Sequence, residues 1–254
     1  MMKSRQPFAA HTQPDVSLVI PTYERPAALV VAVRSGLAAI PENGELIVVD
    51  DGTENSATDS LQHFSDERLR IEKTPGRQGP SRARNLGVSF SNSDLVFFLD
   101  DDDILLPDYV ARVLKMRDMN DPAPVFGFSA VLRSGSTSGS GLKTGPMHQG
   151  QTLSSRLGGL GMGFWIERSL YIDLGGLDET IRVNEDTEFC LRLANENILG
   201  WYEADPGVDI DAARTKDSTQ DAPSVTKTSV LADRAKVFEM LLRKYSDLFS
   251  EHPK

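Results

Sequence analysis

The chain has 254 residues, 39% hydrophobic and 25% charged, enough to bury the core of one large domain or two small ones. Its net charge of −10 and isoelectric point near 4.9 argue against non-specific nucleic-acid binding and a polybasic membrane patch. The single cysteine, Cys190, excludes an intrachain disulfide and fits a reducing compartment.

Residues 1–14 carry basic side chains but no continuous apolar core, so they do not read as a secretory signal. No run of about 18 apolar residues reads as a membrane span. The expectation is a cytoplasmic protein with a flexible segment over 1–14.

"VSLVIPT" (Val16 to Thr22) is an apolar, β-branched strand ended by a turn. A helix is expected over Ala27 to Ile40, entered through Pro26 and stopped before Pro41. "ELIVVDDG" is a second buried strand, followed by a helix over Ala57 to Phe64. "RLRIEKT" gives a third strand, "GPSRARNLGVSF" a helix and "DLVFFLD" a fourth strand. This alternation predicts an α/β fold with a Rossmann-like, mostly parallel central sheet flanked by helices.

After Pro107 a helix runs to about Met119, then "PVFGFSAVLRSG" gives a strand. The Gly/Ser-rich stretch Ser134 to Gly145 reads as a mobile loop or hairpin tip. A strand over Phe164 to Glu167, a helix over "EDTEFCLRLANEN", a strand "ILGWYEA" and one amphipathic helix over Val230 to Phe249 complete the chain. The expected division is a single domain over 15–225, with a nucleotide-binding half (15–120) and an acceptor half (121–225), plus a helical tail (226–254).

In open α/β sheets, ligands bind beyond the carboxyl ends of the strands. Three polar clusters fall there: Pro21-Thr22-Tyr23, Asp50-Asp51-Gly52 and Asp100 to Asp103. Four adjacent carboxylates on the edge of a core are costly unless a cation neutralises them. Mg²⁺ or Mn²⁺ suits an all-oxygen set, and the lack of a Cys or His cluster disfavours zinc; an acidic turn capping the next helix is the plainer reading. Asp50 and Asp51 can accept hydrogen bonds from a base or ribose, or form an Asx turn. Arg77, Arg82 and Arg84 near a helix N-terminus suit a diphosphate, or are solvated. Glu185 and Asp186 start a helix, where the helix dipole alone favours acids; the functional alternative is a general base.

In this order, "VSLVIPTYERP", "ELIVVDDGTENSATD", "GPSRARNLGV", "LVFFLDDDDILLPDYV", "GGLDE" and "NEDTEFCLRL" resemble the inverting nucleotide-sugar glycosyltransferases of family 2, which have the GT-A fold. The resemblance spans roughly residues 15 to 200. It implies that Pro21, Thr22 and Tyr23, with Arg25 beside them, line the nucleoside pocket and that Asp51 binds a uracil ring. Arg82, Arg84 and Asn85 would contact the base or diphosphate. The Asp-x-Asp pattern falls on Asp100, Asp101 and Asp102: Asp102, with Asp100, would hold Mn²⁺ or Mg²⁺, and Asp100 and Asp101 would face ribose and diphosphate. Asp103 would structure the turn. Asp186 matches the catalytic base and Glu185 its acidic companion, and "GLGMGFW" lies where such enzymes recognise donor sugar or acceptor.

Family members often supply a histidine ligand towards the end of the domain. Here "DIDAAR" (Asp209 to Arg214) stands near that place, which implies a metal held by Asp102, donor phosphates and water. The absence of membrane spans leads to the expectation of single-sugar transfer. The expected donor is a nucleoside diphosphate sugar, chiefly a UDP-sugar, and the acceptor carries a hydroxyl. The setting is polysaccharide or glycolipid (lipid-linked oligosaccharide) assembly, with glycosylation of a small natural product as the alternative. The tail helix suits a homodimer contact or a peripheral membrane contact, and the Ser134 to Gly145 loop is a candidate lid over the donor. A nucleotidyltransferase would want a glycine-rich phosphate loop where "PTYERP" stands, and a phospho-acceptor signalling module would be about half this length.

Overall fold

Apolar runs with no polar face must be covered on both sides. The computed structural model describes residues 13–54, 57–148, 151–214, 221–222 and 231–252, and it shows how this is done. Strands β1 (Val16–Thr22), β2 (Gly44–Asp50), β3 (Leu69–Lys73) and β4 (Leu95–Phe98) form a parallel block in the order β3-β2-β1-β4. Alternate side chains enter opposite layers. Leu18, Ile20, Leu46, Val48 and Phe97 meet helices α1 (Pro26–Ala39) and α4 (Tyr109–Asp118). Val19, Ile47, Val49, Val96 and Phe98 meet α3 (Pro80–Phe90) and α7 (Glu185–Asn195). Each such side chain contributes roughly 1.5–3 kcal/mol on burial. The short helix α2 (Ala57–Leu61) stops before Phe64.

Beyond β4 the sheet becomes mixed. β9 (Trp165–Glu167) runs antiparallel between β4 and β6 (Phe126–Arg133), while β10 (Trp201–Asp209) returns parallel to β6. β5 (Ile104–Leu105), directly after the acidic run, pairs antiparallel with β10 at the sheet edge. The mostly parallel expectation therefore holds along the main path: β9 is antiparallel to both β4 and β6, so β6 and β10 run in the same direction as the first four strands, and the antiparallel partners are β9 and the short strands β5, β7 (Ser136–Ser138) and β8 (Gly145–Pro146).

The stretch Ser134 to Gly145 contains a hairpin, one of its two expected forms. β7 folds back antiparallel on β6, and β8 pairs with β10. Ser140 N–H also bonds to Tyr202 Oη at 3.2 Å. Short helices α5 (Leu153–Arg156) and α6 (Arg168–Asp173) flank β9 in sequence. The tail is two helices rather than one: α8 (Leu231–Lys244) and α9 (Ser246–Glu251) break at Tyr245. Tyr245 and Lys244 both donate to Glu188 Oε1, at 2.7 and 2.8 Å. Leu241, Tyr245 and Leu248 pack on Leu153, Leu191 and Ala194. Residues 1–12, 226–230 and 253–254 of the expected terminal segments lie outside the described residues. No helix among the described residues is long and apolar enough to cross a membrane.

Candidate active site

A cavity of about 940 Å³ opens at the carboxyl ends of β1, β2 and β4. Pro21, Thr22, Tyr23 and Arg25 line it from β1, Asp51 from β2, Asp100 to Asp102 from β4, and Glu185 and Asp186 from α7. Segments more than 100 residues apart in sequence thus converge on one space of ligand size.

The strand-end aspartates differ in what holds them. Asp50 accepts N–H bonds from Gly52 (2.9 Å) and Ala57 (2.9 Å), an Asx turn leading into α2. Asp51 accepts from Gln78 N–H (2.9 Å), Gly79 N–H (2.8 Å) and the Thr74 hydroxyl, so it shapes the loop entering α3 while lining the cavity. Asp101 is 3% exposed. It accepts from Thr22 Oγ1 at 2.7 Å and pairs with Arg25. Burial raises its pKa to about 6, against the pull of Arg25.

Arg84 is enclosed and sits between two anions. Its Nη2 donates to Asp100 at 2.6 Å and its Nη1 to Glu185 at 3.1 Å. Burial opposes its charge, but these carboxylates outweigh burial and push its pKa up. It thus joins the acidic run to the start of α7. Asn184, in the left-handed region at φ 61°, turns the chain into that helix. Asp186 follows, held by the Thr187 N–H at 2.7 Å. Burial raises the pKa of Asp186, with Asp100 adding to the rise; the Thr187 N–H and Arg84 oppose it. Burial likewise raises Glu185. Asp186 is thus a partly exposed carboxylate on the cavity wall, with a raised pKa and no salt bridge to a described residue.

The loop before β9 closes on both clusters. A Cβ on Gly159 would lie 3.0 Å from Asp186 Oδ2, and one on Gly161 would lie 3.1 Å from Asp100 Oδ2. A side chain at either position would press on the carboxylate oxygen, so glycine leaves the two carboxylates where they are.

Asp100, Asp102 and Asp103 each place an oxygen within 4.8 Å of the others. Hard oxygen donors in that arrangement fit a divalent cation such as Mg²⁺ or Mn²⁺. Asp102 Oδ2 is bonded by Arg214 Nε (2.9 Å) and Nη2 (2.7 Å), while its Oδ1 takes no hydrogen bond from a described residue. Asp103 Oδ1 accepts the Asp211 N–H at 2.8 Å, and burial raises its pKa. Its side chain thus fastens the turn after β10 to the acidic run, and it also belongs to the carboxylate group.

Two expected contacts are not brought together. Arg82 pairs with Glu179 at 3.2 Å on the surface. Asn85 accepts from Tyr171 Oη (2.7 Å) and Leu177 N–H (2.9 Å) and donates to Leu177 O, pinning α3 to the turn after α6. Neither lines the cavity. Sequence reasoning also missed Arg182, from the loop before α7, and Arg234 and Lys236, which α8 brings to the cavity rim beside Arg77.

Residues 17–159 match the family model described as "Glycosyl transferase family 2", more than half of the 254-residue chain. An uncharacterized glycosyltransferase of Haemophilus influenzae is 27% identical over 211 residues, covering 80% of this chain and 70% of the relative. The Escherichia coli UDP-Glc:alpha-D-GlcNAc-diphosphoundecaprenol beta-1,3-glucosyltransferase WfgD is 25% identical over 124 residues, 49% of each chain. The crystal structure of S. aureus TarS 1–349 in complex with UDP-GlcNAc superposes with a TM-score of 0.68 at 16% identity, covering 85% of this chain and 62% of that one. That likeness is one of fold. Three findings agree: a central sheet flanked by helices, a carboxylate-lined cavity at the strand ends, and a family match over residues 17–159, which holds β1 to β6 and the Asp51 and Asp100 to Asp102 side of the cavity. The chain is a glycosyltransferase of family 2 with the GT-A fold.

Proposed function

We propose that the protein moves one sugar from a nucleoside diphosphate sugar, chiefly a UDP-sugar, to an acceptor hydroxyl with inversion at the anomeric carbon, assisted by Mn²⁺ or Mg²⁺. The observation that carries this reading is the convergence in one cavity of Asp51, the Asp100 to Asp102 run and Asp186. The TarS complexes with UDP and UDP-GlcNAc support a uridine donor for this fold.

A divalent cation, when bound by Asp102 and Asp100, supplies charge neutralisation for the leaving diphosphate. The chain's own residues do the rest. Pro21, Thr22, Tyr23, Arg25 and Asp51 form the nucleoside end. Thr22 and Arg25 hold Asp101 so that the acidic run keeps its shape. Arg84 fixes the spacing between Asp100 and α7. Asp186 takes the acceptor hydroxyl proton as that oxygen bonds to the anomeric carbon. The bond from that carbon to the diphosphate oxygen breaks, and the nucleoside diphosphate leaves with the electron pair.

The reading extends to polysaccharide or lipid-linked oligosaccharide assembly. The WfgD relative acts on a diphosphoundecaprenol-linked sugar, and Arg77, Arg182, Arg234 and Lys236 give the rim of this acidic protein a local positive charge suited to phosphate. Isothermal calorimetry of UDP, GDP and dTDP, each with and without Mn²⁺, tests the donor site. UDP is expected to bind, and more tightly with the metal. No heat with any of the three would sink the reading.

A further inference from the structure

The carboxylate assigned to the metal is already in the grip of a cation. Arg214 places Nε at 2.9 Å and Nη2 at 2.7 Å from the same oxygen, Asp102 Oδ2. Arg25 Nη1 lies 3.5 Å from that oxygen as well. Arg214 does not hang there from a surface loop. The turn after β10 is fastened to the acidic run on both sides of it: Ala213 N–H bonds Asp102 O at 3.0 Å, and Asp211 N–H bonds Asp103 Oδ1 at 2.8 Å. Ile210 N–H ties the same turn to Leu132 O at 3.0 Å. The Arg214 side chain is 21% exposed and Asp102 is 9% exposed, so water screens the pair only in part.

We propose that Arg214 is a resident counter-cation for Asp102, and that it keeps the nucleotide-free protein's affinity for a divalent cation low. This rests on the metal-assisted reading of the site and adds a residue that controls it. A guanidinium fixed on a ligand oxygen acts in two ways. It takes up one of the two Asp102 carboxylate oxygens, and it repels a second positive charge. Even with the dielectric of water, a unit charge and a divalent ion a few ångströms apart repel enough to lower affinity by about tenfold. Metal and nucleoside diphosphate then bind together, because the diphosphate brings the negative charge that the arginines otherwise balance. The positions from Asp209 to Arg214 thus offer a cation where a neutral ligand would favour metal.

The test is Mn²⁺ binding to nucleotide-free protein, read by the loss of the free-ion electron paramagnetic resonance signal. Wild type is compared with Arg214→Gln, which keeps a hydrogen-bonding side chain without charge, and with Arg214→Lys, which keeps the charge without the fork. Arg243→Gln, on the exposed face of α8, controls for a change of net charge. The expected result is Mn²⁺ affinity raised about tenfold or more in Arg214→Gln, raised less in Arg214→Lys and unchanged in Arg243→Gln. A merely structural arginine predicts the opposite sign, since loosening the turn would disperse the carboxylates and weaken Mn²⁺ binding. Unchanged or weaker binding in Arg214→Gln overturns the proposal, as does an equal rise in Arg243→Gln or no Mn²⁺ binding by any variant. Should Arg214→Gln not fold, Arg214→Lys decides by the same sign. No nucleotide enters the titration, so a failure to bind UDP would sink the donor reading and leave this result standing.

Discussion

Asp102 and Asp186 line the same cavity and are kept in opposite company. Asp102 is held by Arg214 and Arg25, whereas Asp186 makes no salt bridge to a described residue and is held by the Thr187 N–H. In the proposed roles, an Asp102 that holds a metal tolerates a cation in advance, and an Asp186 that takes a proton needs a high proton affinity, which a fixed cation would remove and burial supplies. Arg84 stands between the two, bonded to Asp100 and Glu185 but not to Asp186.

The largest effect should come from removing the proton acceptor alone. Asp186→Asn is expected to lower kcat by about 10³-fold or more while changing the UDP dissociation constant by less than about threefold, by calorimetry. Retained turnover would put the base elsewhere. Arg84→Met attacks the link between the two carboxylate groups. It leaves Asp100 and Glu185 facing each other without their cation and should cost about 3–5 kcal/mol, read as a lower urea midpoint with unchanged slope. A cost below about 1 kcal/mol would mean that the two groups stand independently.

A smaller change should come from behind the base. Glu188, one turn along α7 from Glu185, is fully buried and anchors the tail through Tyr245 and Lys244. Leu241→Ala should cost about 2–5 kcal/mol by opening a gap in that contact, and Tyr245→Phe about 1.5–3 kcal/mol by removing a hydrogen bond to a charged group. Both are read by urea unfolding; no loss in either would detach the tail from the catalytic helix. The mildest probe is pH. The pKa of Asp186 lies above the ordinary aspartate value because it is buried, and only the carboxylate can accept a proton. Activity should therefore be low below that raised pKa, rise through it and level off above it. A profile that falls across the same range would contradict the assignment.

Much of this could be read in the sequence. β1, β2 and β4 lack a polar face, so covering layers on both sides followed, and with them a site where "PTY", "DDG" and "DDDD" emerge. What could not be read depends on partners far away in the chain. Nothing local to Asp101 and Asp102 tells that Thr22 and Arg25 take the first and Arg214 the second. β5 is two residues long and exists only because β10 runs beside it. The tail breaks at Tyr245, whose hydroxyl reaches Glu188, a contact that amphipathic periodicity does not contain. Arg82 and Asn85 were within reach of sequence reasoning. At 100° per residue on α3, Ala83, Arg84, Gly87 and Val88 share a buried face, and Arg82 stands about 200° from Arg84.

The central claim is a single displacement with Asp186 as base. Time-resolved proton NMR of an α-linked UDP-sugar, incubated with protein and Mn²⁺ and left to transfer to water, tests it most directly. The account predicts that the β-anomer of the free sugar appears first with wild type and that its release nearly stops in Asp186→Asn. First appearance of the α-anomer, or equal release by Asp186→Asn, would contradict it.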